Sequence, residues 1–339
     1  MVRKKCVKTP KKEAEQTRKT LEEKKILDKD YKVKKDKENV YFPVKKEIKN
    51  KEIETDIKIM ERDTNKKTNK PKSLKQALKE ELKPKQLENL VTSFDIIGDI
   101  AVIEIPEEVR DKQEKIGKAI MQVHGNVETV CRRETKTKGE YRIRKVHPIA
   151  GEEKTETVHR EHGVDMKLDL NKTYFNPRLS NERRIIAEKI KPGEHIGYLF
   201  AGVGPFSLVI AKKNPNVKIT AVELNPDAYE YLEENIMLNS FTDKIEPVHK
   251  DVKELKGYSF DRVIMPMPTT SEKFLDQILK NTAEKAVIHY YSLGEEPDYF
   301  EKPIKELKRH VENFKVLDKR EVLNYAPGKK EVVIDIARE

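Results

Sequence analysis

The sequence predicts an α/β protein in which two smaller mixed modules precede a doubly wound parallel sheet. Three observations predict it. From Leu179 onward, short apolar strand signals alternate with helix signals, the rhythm of successive βαβ units. A glycine-containing turn, Gly202-Val203-Gly204, follows the first of those strands. The first fifth of the chain also differs from the rest in charge. Residues 1–70 hold 24 Lys and Arg against 14 Asp and Glu, whereas the remainder holds 46 of each sign. The whole net charge of +10 therefore sits near the N-terminus. Such asymmetry suits a polyanion held through its phosphates; a solvated lysine-rich surface is the plainer alternative.

The elements follow in order. Ala14–Leu27 carries helix-compatible residues, and Lys45–Met60 alternates Ile with charged residues. Residues 1–62 thus read as a small α/β module. Asp63–Lys72 has Thr, Asn, Lys and a proline but no large apolar side chain, and reads as a linker. Ser73–Leu90 reads as a helix entry, and Ser93–Ile105 as a strand pair around Gly98. Pro106–Val123 is helical, with Ile116, Ile120 and Val123 on one face. Thr129–Val158 reads as extended chain with turns near Gly139 and Gly151. These make a second module over 73–175. Ser180 is the expected N-cap of a helix through Ile190. Strands are then expected at Ile196–Ala201, Lys218–Glu223, Ile245–His249, Asp261–Met265 and Ala286–Ser292. The helices between them are Pro205–Lys212, Asp227–Leu238, Ser271–Leu279 and Asp298–Val311. Two last strands, Phe314–Asn324 and Lys330–Ala337, close the sheet as S-adenosylmethionine methyltransferases do.

Chemistry narrows the choices. Cys6 and Cys131 cannot form a disulfide framework, and no metal-ligand spacing exists, so no metal is expected. No run of about 18 apolar residues occurs, and the basic N-terminus lacks the apolar stretch of a signal peptide. A cytoplasmic protein with no membrane association, acting as a monomer, is expected. At the end of the first strand, Gly202 and Gly204 let a ligand approach the backbone, and the following helix offers free N–H groups. Alone, that turn is as readily structural. The second strand ends in Glu223, an acceptor for ribose hydroxyls, followed by Leu224 and the next helix. The third ends at Asp251-Val252, where an acid can accept from an adenine amino group. The missing third glycine and phosphate-binding lysine argue against a dinucleotide or nucleoside triphosphate. S-Adenosylmethionine is the cofactor these elements suit.

The residues resemble those of the archaeal and eukaryotic tRNA guanosine-37 N1-methyltransferases along essentially the whole chain. Phe175-Asn176-Pro177-Arg178-Leu179-Ser180-Asn181-Glu182-Arg183 and Phe200-Ala201-Gly202-Val203-Gly204-Pro205-Phe206 carry the likeness, supported by His289-Tyr290-Tyr291 and Tyr325-Ala326-Pro327. The resemblance implies a Rossmann-like class I S-adenosylmethionine methyltransferase domain at 176–339. It further implies a tRNA-binding domain at 1–62, reaching the outer corner of tRNA with Tyr31–Val44, and a base-recognition domain at 73–175 near the anticodon loop. It assigns Glu182 as the base that removes the guanine N1 proton; a capping acid is the ordinary reading of such a residue. Arg142 would stabilise charge on guanine O6, with Arg144 on the same side of the strand as an open alternative. Tyr174, Arg183, Phe200 and Pro266 join the cofactor contacts by resemblance, and Arg183, Pro266 and Pro268 the catalytic set. One departure stands out: where N1-only relatives carry Asn-Leu-Pro after the fourth strand, this chain has Pro266-Met267-Pro268. That looks like the archaeal branch that also methylates carbon 7 of 4-demethylwyosine to give isowyosine. A methyltransferase for another RNA or an exocyclic amine would favour Asn/Asp-Pro-Pro-aromatic here. An inactive RNA-binding protein would not need Glu223 and Asp251.

Overall fold

In the computed structural model, residues 2–45, 57–66, 71–134, 143 and 145–339 are described below. The chain forms two compact units, residues 1–71 and 72–339. The first is a four-stranded sheet with one helix. Strand β1 (Val2–Pro10) leads into helix α1 (Ala14–Glu23), followed by β2 (Lys34–Lys35), β3 (Asn39–Pro43) and β4 (Lys58–Thr64). The strand order is β2-β3-β1-β4, with β1 antiparallel to both neighbours. Alternation along β3 and β1 turns Val7, Val40 and Phe42 onto Leu21 of α1, and these make the core. Thr64 pairs with Val2, so this sheet continues into the segment expected as a linker.

The second unit opens with two short helices, α2 (Leu74–Ala77) and α3 (Pro84–Glu88), rather than one helical run. Lys83 is extended because the residue before a proline is disfavoured in helix, and the break falls there. Strands β5 (Phe94–Ile97) and β6 (Ile100–Ile103) form the expected pair around Gly98, whose φ of +58° suits glycine. A 3₁₀ turn and helix α4 (Gln113–Val123) follow, then β7 (Thr129–Arg133) and β8 (Val146–Gly151) complete the sheet β5-β6-β7-β8. Ile116 and Ile120 of α4 are buried on it as their spacing requires, while Val123 is only half-buried. Next comes an antiparallel hairpin, β9 (Glu156–Glu161) and β10 (Val164–Asp169).

The largest sheet holds seven strands. In chain order its elements are α5 (Ser180–Lys189), β11 (His195–Leu199), α6 (Pro205–Lys213), β12 (Lys218–Glu223), α7 (Pro226–Leu238), β13 (Ile245–His249) and β14 (Phe260–Met265). Helix α8 (Leu275–Leu279), β15 (Thr282–Glu295), α9 (Glu301–His310), β16 (Phe314–Ala326) and β17 (Lys329–Arg338) complete it. The order is β13-β12-β11-β14-β15-β17-β16. The first five strands are parallel, and β17 joins antiparallel to both β15 and β16. Strands β11, β12 and β14 are almost wholly buried, as a sheet covered on both faces demands. The C-terminal ends of β11–β14 therefore share one edge, where such sheets bind ligands.

Candidate active site

The turn after β11 is built from backbone. Phe200, Gly202 and Gly204 have φ of +60°, +55° and +90°. Gly204 is the N-cap of α6, Pro205 occupies its first turn, and a Cβ on Gly204 would meet Leu232 Cδ1 at 2.6 Å. Phe200, the non-glycine residue in this left-handed run, is fixed edge-on against Phe274 at 4.9 Å. A Cβ on Gly202 would lie 3.6 Å from the Tyr174 carbonyl oxygen, which puts Tyr174 beside the turn; its side chain is 57% exposed.

Glu223 ends β12 and locks two turns together. Its Oε2 accepts from Gly202 N at 2.7 Å and its Oε1 from Asn225 N at 2.7 Å. Burial pushes its carboxyl upward against these backbone donors. A carboxylate at this strand end is an acceptor suited to ribose hydroxyls. Asn225 caps α7 through Asp227 N and donates to Lys172 O at 2.8 Å, binding the second turn to the segment before Tyr174. Leu224 is fixed by its carbonyl, 3.1 Å from His249 Nε2. Asp251 caps the turn after β13 by accepting from Lys253 N at 2.9 Å, and Val252 behind it is buried. This cradle fits a nucleoside with a vicinal diol. Bound S-adenosylmethionine would lie on Gly202–Gly204, Glu223 and Asp251 and supply an electrophilic methyl group.

The Phe175–Arg183 segment is shaped from below. Asn176 Oδ1 accepts from Arg178 N and caps a 3₁₀ turn, Pro177–Leu179. Ser180 is not the N-cap expected of it: it is already helical, the N-cap is Leu179, and Ser180 Oγ lies 3.1 Å from His162 Nε2. The asparagine upstream has taken the capping task. Arg183 is 1% exposed, with Nε and Nη2 on the two oxygens of Glu161 at 2.6 and 2.7 Å and its other bonds on Asn176 O. Burial opposes the charge on Glu161, but Arg183 and His159 outweigh it and hold that carboxyl at about 2. These bonds tie the start of α5 to the preceding hairpin and to the Asn176 backbone.

Glu182 is buried in the first turn of α5. Its Oε1 accepts from Tyr291 OH at 2.7 Å and Arg320 Nη2 at 2.5 Å, and its Oε2 from Arg320 Nε at 3.0 Å. This is neither the exposed capping acid nor an isolated base. The Tyr291 ring lies 6.2 Å from Phe206, just past the glycine turn, and Met265 pairs with Tyr290 in the sheet. Glu182 is thereby linked through Tyr291 to the cofactor turn. In the loop after β14 Met267 N donates to Met265 O at 2.8 Å and Ser271 Oγ to Met267 O at 2.6 Å. Pro266 and Pro268 are half-exposed within it and offer no side-chain donor. Arg142 and Arg144 lie outside the described residues. Tyr291 stands in the sequence only within a motif and Asn225 only as the start of the next helix, which its N-cap geometry bears out, whereas no local signal marks Arg320 or Glu161. Both cysteines are free and buried. Among the described residues no His/Cys/Asp/Glu cluster suits a metal, and no helix is long and apolar enough to cross a membrane.

Comparison with known proteins gives concordant matches. Residues 157–318 match the model of the TRM5/TYW2 methyltransferase domain, 74–155 the TYW2 N-terminal domain and 6–52 the tRNA methyltransferase 5 N-terminal domain. The chain is 40% identical to the tRNA (guanine(37)-N(1))-methyltransferase Trm5b of Pyrococcus abyssi, over 97% of this chain and 98% of that one. It is 38% identical to the Trm5b of Methanocaldococcus jannaschii, over 97% of each. A solved complex of aTrm5 with tRNALeu superposes with a TM-score of 0.80 at 34% identity, covering 98% of this chain and 99% of that one.

Proposed function

The chain belongs to the TRM5/TYW2 family of S-adenosylmethionine-dependent tRNA methyltransferases, and within that family we propose that it methylates N1 of guanosine 37. The observation that carries this reading is the link from the glycine turn through Phe206 and Tyr291 to Glu182. Guanine N1 bears a proton at neutral pH, so methyl transfer needs an acceptor for it. Three of the four lone-pair directions of Glu182 are filled, and the remaining one, on Oε2, takes the proton as N1 attacks the methyl carbon. Charge growing on guanine O6 is met by Arg142 or its alternative Arg144. Tyr174, beside Gly202, covers the reacting groups. The basic first unit holds the tRNA through its phosphates, since its excess charge favours a polyanion.

A second activity, methylation of carbon 7 of 4-demethylwyosine, is favoured by Pro266. An asparagine amide there would hold one purine edge; proline offers only its carbonyl and leaves room for a tricyclic base. Neither cysteine is placed to form a covalent adduct, since both are buried and burial pushes the Cys131 thiol up to about 12. Attack by the base's own electron-rich carbon needs none. The test is nucleoside mass spectrometry of two tRNAs after incubation with cofactor, one carrying guanosine and one 4-demethylwyosine at position 37. The expected products are 1-methylguanosine and isowyosine, with Pro266→Asn lowering the second relative to the first. Absence of 1-methylguanosine refutes the main reading; absence of isowyosine alone removes only the second activity.

A further inference from the structure

Resting on the reading of Glu182 as proton acceptor, we infer that Arg320, far away in sequence on β16, is the residue that positions it. The carboxylate comes from α5, and its partners come from two strands, β15 and β16. Arg320 reaches both oxygens with two nitrogens of its planar guanidinium, so the plane of the carboxylate is fixed and not merely its position. Tyr291 on β15 fills a third direction. Burial and the Glu182 charge raise the Tyr291 phenol well above its ordinary range, so it stays a donor. The arrangement leaves one acceptor direction open and aims it.

Arg320 is itself braced. Its Nη1 donates to Asp335 Oδ2 at 2.8 Å and Asp318 Oδ2 at 3.1 Å. Asp335 on β17 is held by His289 Nδ1 at 2.7 Å and Lys189 Nζ at 2.5 Å. His289 Nε2 meets Arg262 on β14, which is paired with Glu194. Among the described residues these are the charged and titratable groups bonded in a chain from Glu182. Burial lowers the proton affinity of His289, whereas Asp335 is held ionised against burial by His289, Arg320 and Lys189. Arg320 cannot swing away without leaving Asp335 underpaired in the core, so its fork holds its orientation. The fixed cation lies against both oxygens of Glu182 and balances its charge in the buried pocket.

The test is the pH dependence of single-turnover methyl transfer by the full-length chain, with a tRNA transcript bearing guanosine 37, over roughly pH 5 to 9. The unmodified protein sets the reference for the acid limb and the plateau. Arg320→Gln keeps donors but removes charge and fork; its acid limb moves to higher pH by about one unit or more, and its plateau falls about tenfold. Arg320→Lys retains the charge, so its limb stays near that of the parent while the plateau falls. An unmoved limb with a plateau within about twofold of the parent in Arg320→Gln overturns the inference. Thermal melts check that each variant folds. If Arg320→Gln does not fold, Arg320→Lys decides: full plateau rate overturns the inference, and a lost plateau with unchanged cofactor affinity upholds it. Glu182→Gln is run alongside. Full activity there refutes the reading of Glu182 itself, whereas a low rate there with an unmoved Arg320→Gln limb refutes only the role of Arg320.

Discussion

The cofactor cradle and the proton-acceptor pocket are neighbours in one sheet, yet they are built in opposite ways. The cradle is made largely of backbone: three left-handed residues, a helix start, and one carboxylate binding two successive turns. The pocket is made of side chains, a buried run of charges from α5 and four strands, in which Glu182, Arg320, Asp335, His289 and Arg262 each satisfy the next. Backbone geometry tolerates loss of a single side chain. A buried charge network does not, because removing one partner strands the other in low dielectric. The cradle should therefore lose affinity when altered, and the pocket side should lose stability or chemistry.

The largest expected effect is on the pocket side. Arg183→Met leaves Glu161 buried without its cation and should cost about 3–5 kcal/mol in denaturant unfolding at neutral pH. The sign with pH follows from the depressed carboxyl. Glu161 titrates at about 2 in the fold, against 4.5 ordinarily, so the pair stabilises fully above the higher value and fades as pH falls toward the lower. The stability gap between the two proteins should narrow when unfolding is repeated in that acid window. A constant gap would mean that Arg183 acts through packing alone.

A smaller effect is expected in the cradle. Glu223→Ala should weaken cofactor binding by roughly 2–4 kcal/mol, since two charge-assisted hydrogen bonds to the ribose are lost. Calorimetry measures it directly, and the melting temperature of the unliganded protein should fall less than in Arg183→Met, since the stranded groups are backbone N–H donors rather than a buried charge. Unchanged affinity would remove Glu223 from the site; collapse of the fold would remove the contrast between the two regions.

The same contrast explains what was legible. The cradle lies within one continuous stretch, so strand ends, glycines and acids at Gly202, Gly204, Glu223 and Asp251 could be read in order. The parallel sheet and its two closing strands were legible for the same reason, since period and length carry them. The pocket joins Glu182 to Tyr291 and Arg320, 109 and 138 positions away, and no local pattern records such a pairing. The pairing of Arg183 with Glu161 from the preceding hairpin is hidden for a related reason, since the motif that holds Arg183 says nothing of a partner 22 positions earlier. Ser180 likewise had a good capping side chain, displaced because Asn176 begins the turn four residues earlier.

The account turns on Glu182 as the acceptor of the guanine N1 proton. Glu182→Gln preserves size and hydrogen bonding but cannot take that proton. Single-turnover transfer to tRNA bearing guanosine 37, at saturating cofactor, isolates the chemical step from product release. The expected result is a fall of about 100-fold or more with cofactor affinity unchanged. A rate equal to that of the parent protein would contradict the account and leave Glu182 as one charge among those that hold α5 to the sheet.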